Sequence, residues 1–242
     1  MTSTKTHIRR GQLTLIAAGP GCGKTAILQA ILQRGDDHGK LNTSLFFSLD
    51  SDSSTMFKRS AAIHSNWEQS AIEEIMETGD RRGLEAAVAS ATSHMRWSFD
   101  SSPSEEDILL EIEAYAATFG EFPQVLVFDN LKDVKMGVGE GEFQQLEEAC
   151  VFLNGLAKDT NAAVIALHHI VGSLEDGLQP VPLSGLRGKV SKTPSVVLTL
   201  HRNAEGKQLR VSPVKNRGGT ADASGNWSLP ISIDLARMSF TG

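Results

Sequence analysis

Residues 13–29 read LTLIAAGPGCGKTAILQ. The first six are apolar apart from Thr14, which suits a buried strand. Small or turn-forming residues follow around Cys22, then Gly-Lys-Thr, then a helix-forming run. Residues 18–25, AGPGCGKT, match the phosphate-loop pattern G-x-x-x-x-G-K-[ST] with alanine in the first glycine position. The glycines let backbone N–H groups turn inward on a phosphate, and the N-terminus of the following helix adds its positive end. This gathers Ala18, Gly19, Pro20, Gly21, Cys22, Gly23, Lys24, Thr25 and Ala26 around a nucleotide. Lys24 is expected to reach the β and γ phosphates, and Thr25 to hold a magnesium ion.

A loop of this kind needs partners at neighbouring strand ends. VLVFDN (125–130) puts Asp129 after four apolar residues, where it would bind the Mg²⁺ water shell. FFSLDSD (46–52) ends a second apolar run with Asp50 and Asp52. Asp50 falls at the strand tip and is the candidate for the attacking water, whereas Asp52 suits the N-cap of the next helix. AAVIALHH (162–169) ends in His168 and His169. His169 is the candidate for sensing the γ-phosphate, with His168 orienting it. No further ligands stand at the spacing of a protein-held metal centre. ATP and Mg²⁺ are the expected substrate and cofactor.

Around these motifs lies an ordinary globular composition: 242 residues, 40% hydrophobic and 21% charged. No apolar run approaches ~18 residues, which predicts no helical membrane span. The stretch 1–12, MTSTKTHIRRGQ, lacks the apolar core of a secretory signal. The two cysteines are Cys22 and Cys150, and a disulfide at Cys22 would block the phosphate loop. The expectation is a reduced, cytoplasmic protein of a bacterial or phage-infected cell. The net charge of −6 is unevenly spread. Between Arg187 and Arg217 stand eight Lys or Arg against the single acid Glu205, a net of +7 that leaves −13 on the rest. A basic block on an acidic body can be the footprint of a polyanion, although a solvated basic face gives the same count.

Strand-length apolar runs at 13–18, 44–49, 124–128 and 162–167 alternate with helical patterns at 24–34, 55–64, 67–77, 81–93, 104–119 and 142–159. Ser104 with Glu105, Glu106 and Asp107 reads as a capped, charge-matched helix start. A Gly/Pro/Ser-rich loop at 171–188 then leads to β-type runs at 195–200, 208–214 and 227–233. The expected fold is α/β: a mainly parallel central sheet flanked by helices, with a β-rich C-terminal extension, in one domain over 1–242.

The segments 8–25, 46–52, 97–131, 164–169 and 211–219 together resemble, in order and spacing, the RecA-like motor domain of DnaB-type replicative helicases. The paired histidines resemble the plasmid RepA-type hexameric helicases of the same superfamily. The resemblance covers nearly the whole chain. It implies a P-loop NTPase acting as an ATP-driven helicase or translocase on single-stranded DNA, a homo-oligomeric and usually hexameric ring, and other replication proteins as partners. In such rings a Lys and an Arg reach the nucleotide of the next subunit, and Lys215 and Arg217 in VKNRGG match them. Asp50 matches the family's catalytic glutamate, and His169 matches its sensor glutamine. The loop at 171–188 with LRGKVSK (186–192) matches the channel-lining region, so Arg187, Lys189 and Lys192 are the DNA-contact candidates. Two departures stand out. Asp50 is a methylene shorter than glutamate, which implies slow turnover, and no counterpart of the family's primase-binding N-terminal domain is expected ahead of Ile8.

Other P-loop readings are a RecA- or RadA-like recombination ATPase and a non-DNA ATPase switch. A recombinase favours an apolar polymerisation anchor before the first strand, and only a short polar stretch precedes it here. Partition switches carry a second lysine early in the loop, where this chain has Gly19-Pro20. A nucleotide kinase would need an Arg-rich lid, and none is evident.

Overall fold

The structure is a computed structural model that describes residues 6–35, 38–137, 141–186 and 189–242. Nine strands among these form one sheet in the order β3-β2-β4-β5-β1-β6-β7-β8-β9. The strands are β1 Gln12–Ala18, β2 Ser44–Ser48, β3 Met95–Ser98, β4 Val125–Asp129, β5 Ala163–His169, β6 Val196–Arg202, β7 Gln208–Asn216, β8 Leu229–Asp234 and β9 Ser239–Thr241. The first six in that order run parallel, and β7, β8 and β9 continue antiparallel. The helices are α1 Lys24–Arg34, α2 Ser53–Ser65, α3 Gln69–Thr78, α4 Arg82–Ala91, α5 Glu105–Phe119 and α6 Glu142–Thr160.

Alternation along β1 divides the core between the two sheet faces. Leu13, Leu15 and Ala17 pack with Ile108 and Ile112 of α5 and Leu146 and Leu153 of α6. Ile16 and Ala18 pack on the other side with Ile27 and Leu28 of α1. A third cluster joins Ala61, Ala62, Ile72 and Val88 of α2, α3 and α4 to Met238 in the turn between β8 and β9. Leu15 is fully buried in the central strand. Truncating such a residue to alanine costs about 2–5 kcal/mol through the lost transfer energy and the cavity left behind.

The alternating strands and helices and the β-rich tail follow the expectation. β5 extends to His169, beyond the expected 167, so both histidines lie within the strand. α2 begins at Ser53, before the expected 55, because Asp52 caps it by accepting from Thr55 N at 2.7 Å. Ser104 and Asp107 form a reciprocal capping box at the start of α5. β3 and β9 had no expectation. β3 buries only Met95 fully and lies at the sheet edge, too short to display a period. Its Trp97 ring sits 4.8 Å from that of Phe46, and that tertiary contact pins the strand. No helix among the described residues is long and apolar enough to cross a membrane.

Candidate nucleotide site

Strand register builds the site. Ala18 pairs with His169, and Ser48 pairs with Asp129. The C-terminal ends of β2, β4, β5 and β1 therefore align along one edge, where open α/β sheets bind ligands. A cleft of about 340 Å³ opens there, and Lys24, Thr25, Asp50, Arg59 and His169 line it.

The phosphate loop turns through Gly21 and Gly23, whose φ angles of 70° and 102° are cheap only without a Cβ. Lys24 is buried and lies back along the loop. Its Nζ donates to the carbonyls of Ala18 at 3.0 Å and Gly19 at 3.2 Å, and stands 3.1 Å from His169 Nδ1. Burial pulls the Lys24 ammonium down to about 8, with Asp129, Cys22 and Asp50 opposing. Thr25 Oγ1 donates to Asp129 Oδ2 at 2.6 Å. Burial raises the Asp129 carboxyl, and the Thr25 hydrogen bond and Lys24 charge counter it. A hydroxyl beside a carboxylate suits a hard cation such as Mg²⁺ that takes its other oxygens from phosphate and water. No group of three or more His, Cys, Asp or Glu among the described residues could hold a metal unaided.

Asp50 lies two residues past the end of β2 and is held from β4. Its N–H donates to Asp129 O at 3.2 Å, and its Oδ2 accepts from Asn130 Nδ2 at 3.2 Å. His169 Nε2 lies 3.8 Å from the same oxygen. His168 faces a neighbouring pocket with Phe143 and Leu146. Burial, then His169 and Lys24, pull it down to about 4, so it is neutral at pH 7.

The structure adds residues that the sequence reading missed. Thr55, Lys58 and Arg59 present one face of α2 to the cleft. Their i, i+3, i+4 spacing behind Asp50 was a readable signal. Burial lowers the Arg59 guanidinium's affinity for its proton, with Asp129, Asp50 and Asp52 opposing. Leu235 and Met238, from the β8–β9 turn, also line the cleft. Their sequence distance hides them. The segment after β5 rests on the phosphate loop: Cys22 Sγ lies 3.7 Å from Gly177 O, and a Cβ on Gly19 would collide with the Glu175 carbonyl. Arg202, at the end of β6, donates to the carbonyls of Gly21 and Cys22.

Lys215 and Arg217 do not join this cleft within the chain. β7 is antiparallel to β6, so Lys215 pairs with Val197 and Asn216 with Val196, whereas Ala18 pairs with Leu200. Three residues of strand separate Lys215 from the phosphate-loop edge and five separate Arg217, roughly 10–17 Å along the sheet. Lys215 Nζ donates to Ser191 O at 2.6 Å and Lys192 O at 2.8 Å, and Arg217 Nη2 to Lys192 O at 3.3 Å. Of the three DNA-contact candidates, Arg187 lies outside the described residues. Lys189 is exposed with φ 54°, and Lys192 forms an exposed ion pair with Glu147 at 3.5 Å.

Comparison with known proteins agrees with this geometry. The chain is 38% identical over 244 residues to the gene 65 protein of Mycobacterium phage L5, covering 98% of this chain and 85% of that one. The gene 65 protein of Mycobacterium phage D29 is 36% identical over 237 residues, covering 95% of this chain and 96% of that one. A DnaB-like replicative helicase, solved with regard to its interactions with primase, superposes with a TM-score of 0.80 at 16% identity over 97% of this chain and 58% of that one. Residues 3–224 match the model of the DnaB-like helicase C-terminal domain. A RecA-like sheet, a phosphate loop with its strand-end acid and a match over nearly the full length place this chain in the DnaB-like helicase C-terminal domain family.

Proposed function

We propose that the chain is a single RecA-like motor domain that hydrolyses ATP to move along or unwind single-stranded DNA in replication. The observation that carries this reading is the meeting of Lys24, Thr25, Asp129, Asp50 and His169 at one sheet edge. In this reading the phosphate-loop amides and Lys24 hold the β and γ phosphates. Thr25 and Asp129 would hold Mg²⁺, which would supply positive charge to neutralise the phosphate oxygens. Asp50 accepts the proton of the attacking water as the water oxygen bonds to the γ phosphorus. The bond from γ phosphorus to the bridging oxygen breaks, releasing ADP and phosphate. His169 hydrogen-bonds the γ-phosphate and registers its loss.

Lys215 and Arg217 complete the site in trans, in a ring that the family usually builds as a hexamer. Their separation from the chain's own phosphate loop supports this assignment. Arg217 stabilises transition-state charge on the neighbour's nucleotide. Lys189 and Lys192, with Arg187, contact the DNA backbone, which makes binding salt-dependent.

Steady-state ATPase rates with and without single-stranded DNA, across protein concentration, test the reading. Strong stimulation by DNA and a rate rising faster than linearly in protein are expected. A DNA-indifferent rate, linear in protein, would remove the ring and the trans residues together.

A further inference from the structure

Asp50 is held by a residue outside both the phosphate loop and the set of strand-end acids. Asn130 is fully buried between Asp129 and the short 3-10 turn Leu131–Asp133. Its Nδ2 donates to Asp50 Oδ2 at 3.2 Å. The other group near that oxygen, His169 Nε2, lies at 3.8 Å, a longer and weaker contact. The Asp50 side chain is otherwise 57% exposed, so water offers its carboxylate other orientations. The Asp133 carboxyl, raised chiefly by burial, also feels the Asp50 charge. With the Asp50 carboxylate on that side, the amide nitrogen faces it, because the amide oxygen would meet like partial charge.

We propose that Asn130 is the positioning residue of Asp50, fixing the short carboxylate in the orientation that meets the attacking water. The inference rests on the reading of Asp50 as proton acceptor. A side chain one methylene shorter than glutamate has little reach to spare, so its direction matters more. Asn130 supplies that direction from a rigid base. Its own backbone carbonyl anchors Asp133 N at 3.2 Å, and the neighbouring Asp129 carbonyl binds Leu49 N at 2.7 Å and Asp50 N. A purely structural Asn130 would only fill volume beneath the turn.

Two variants separate these roles. Asn130→Leu keeps the volume and removes the donor. Asn130→Asp keeps the shape and exchanges the donor for a second carboxylate. Under DNA-stimulated conditions, Asn130→Leu is expected to lower kcat about tenfold with KM for ATP within about twofold, as misorientation of a catalytic group does. Asn130→Asp is expected to lower kcat at least as far, because a second carboxylate repels that of Asp50 instead of holding it. In an Asp50→Glu background the longer side chain no longer depends on Asn130, so the leucine substitution should cost less there. Melting temperature and nucleotide affinity, followed in parallel, track folding. Wild-type kcat in both Asn130 variants would overturn the proposal. So would a leucine penalty of the same size in both backgrounds. An Asp50→Asn variant with wild-type rates would instead remove the base assignment, and this inference with it. Loss of hydrolysis in Asp50→Asn with unaffected Asn130 variants overturns only the positioning role.

Discussion

Lys24 Nζ stands 3.1 Å from His169 Nδ1, and this contact places the imidazole proton on Nε2. An ammonium only donates, so Nδ1 presents its lone pair and Nε2–H faces Asp50 Oδ2 at 3.8 Å. His169 thus forms a neutral link from the phosphate-loop lysine to the strand-end acid. Burial, then the Lys24 charge, hold its pKa below the ordinary histidine value, with Asp50 pulling the other way. The neutral form therefore prevails at pH 7 and is lost only at a pH below the ordinary histidine value. Protonating Nδ1 would set two cations face to face. We predict an acid limb in kcat below that pH which His169→Gln removes, while hydrolysis stays within about tenfold of wild type. A kcat–pH profile of both proteins checks this, and a limb unchanged in the glutamine variant would assign it to another group.

The same lysine is a stability liability. Its pKa falls from 10.5 to about 8 on folding, mainly through burial. A basic group depressed in the folded state costs stability below the folded pKa. The cost fades as pH rises toward the unfolded value, because between the two the unfolded chain binds the extra proton. The full penalty is ~3 kcal/mol at 1.36 kcal/mol per pKa unit. Lost hydrogen bonds to the Ala18 and Gly19 carbonyls offset part of any gain from removing the charge. Lys24→Met is thus expected to abolish hydrolysis yet stabilise the nucleotide-free protein by about 1–2 kcal/mol at pH 7. The difference should shrink between pH 8 and 10.5 in thermal melts.

Arg217 sits at the far end of its strand pair from its own phosphate loop. Arg217→Ala should bind ATP as wild type does and lose hydrolysis by about 10³-fold or more. Mixing it with a Lys24→Ala chain should restore a fraction of the rate, since some interfaces then combine an intact loop with an intact arginine. Absence of rescue at every mixing ratio would argue against a shared site.

Gly177 packs against Cys22, with φ at 66°. A Cβ there would collide with the Cys22 sulfur. Gly177→Ala is expected to destabilise the protein by about 2 kcal/mol or more, combining backbone strain with steric conflict. It should also speed thiol labelling of Cys22, which is buried under this segment. A melting curve and a timed thiol-reagent assay measure the two effects.

The sequence alone determined most of the local elements and which polar residues stand at the sheet edge. α1 spans 24–34 as expected, because Gly-Lys-Thr opens a helix and Gly35 closes it. Lys24, Thr25 and Asp129 were legible because a phosphate loop and a strand-end acid are patterns of neighbouring residues. Asp50 and His169 were legible because each ends an apolar run, and a polar group there stands at the sheet edge. Tertiary structure decided what depends on contacts between distant segments. The short strands β3 and β9 carry no period of their own, and pairing with β2 and β8 defines them. Leu235 and Met238 reach the cleft only because β8 and β9 fold back over α1 and α3. Asn130 holds Asp50 across 80 residues because strands β2 and β4 are neighbours in the sheet, although far apart in sequence. Sheet order also sets Lys215 and Arg217 away from their own phosphate loop, since an antiparallel return reverses which end of a strand meets the site.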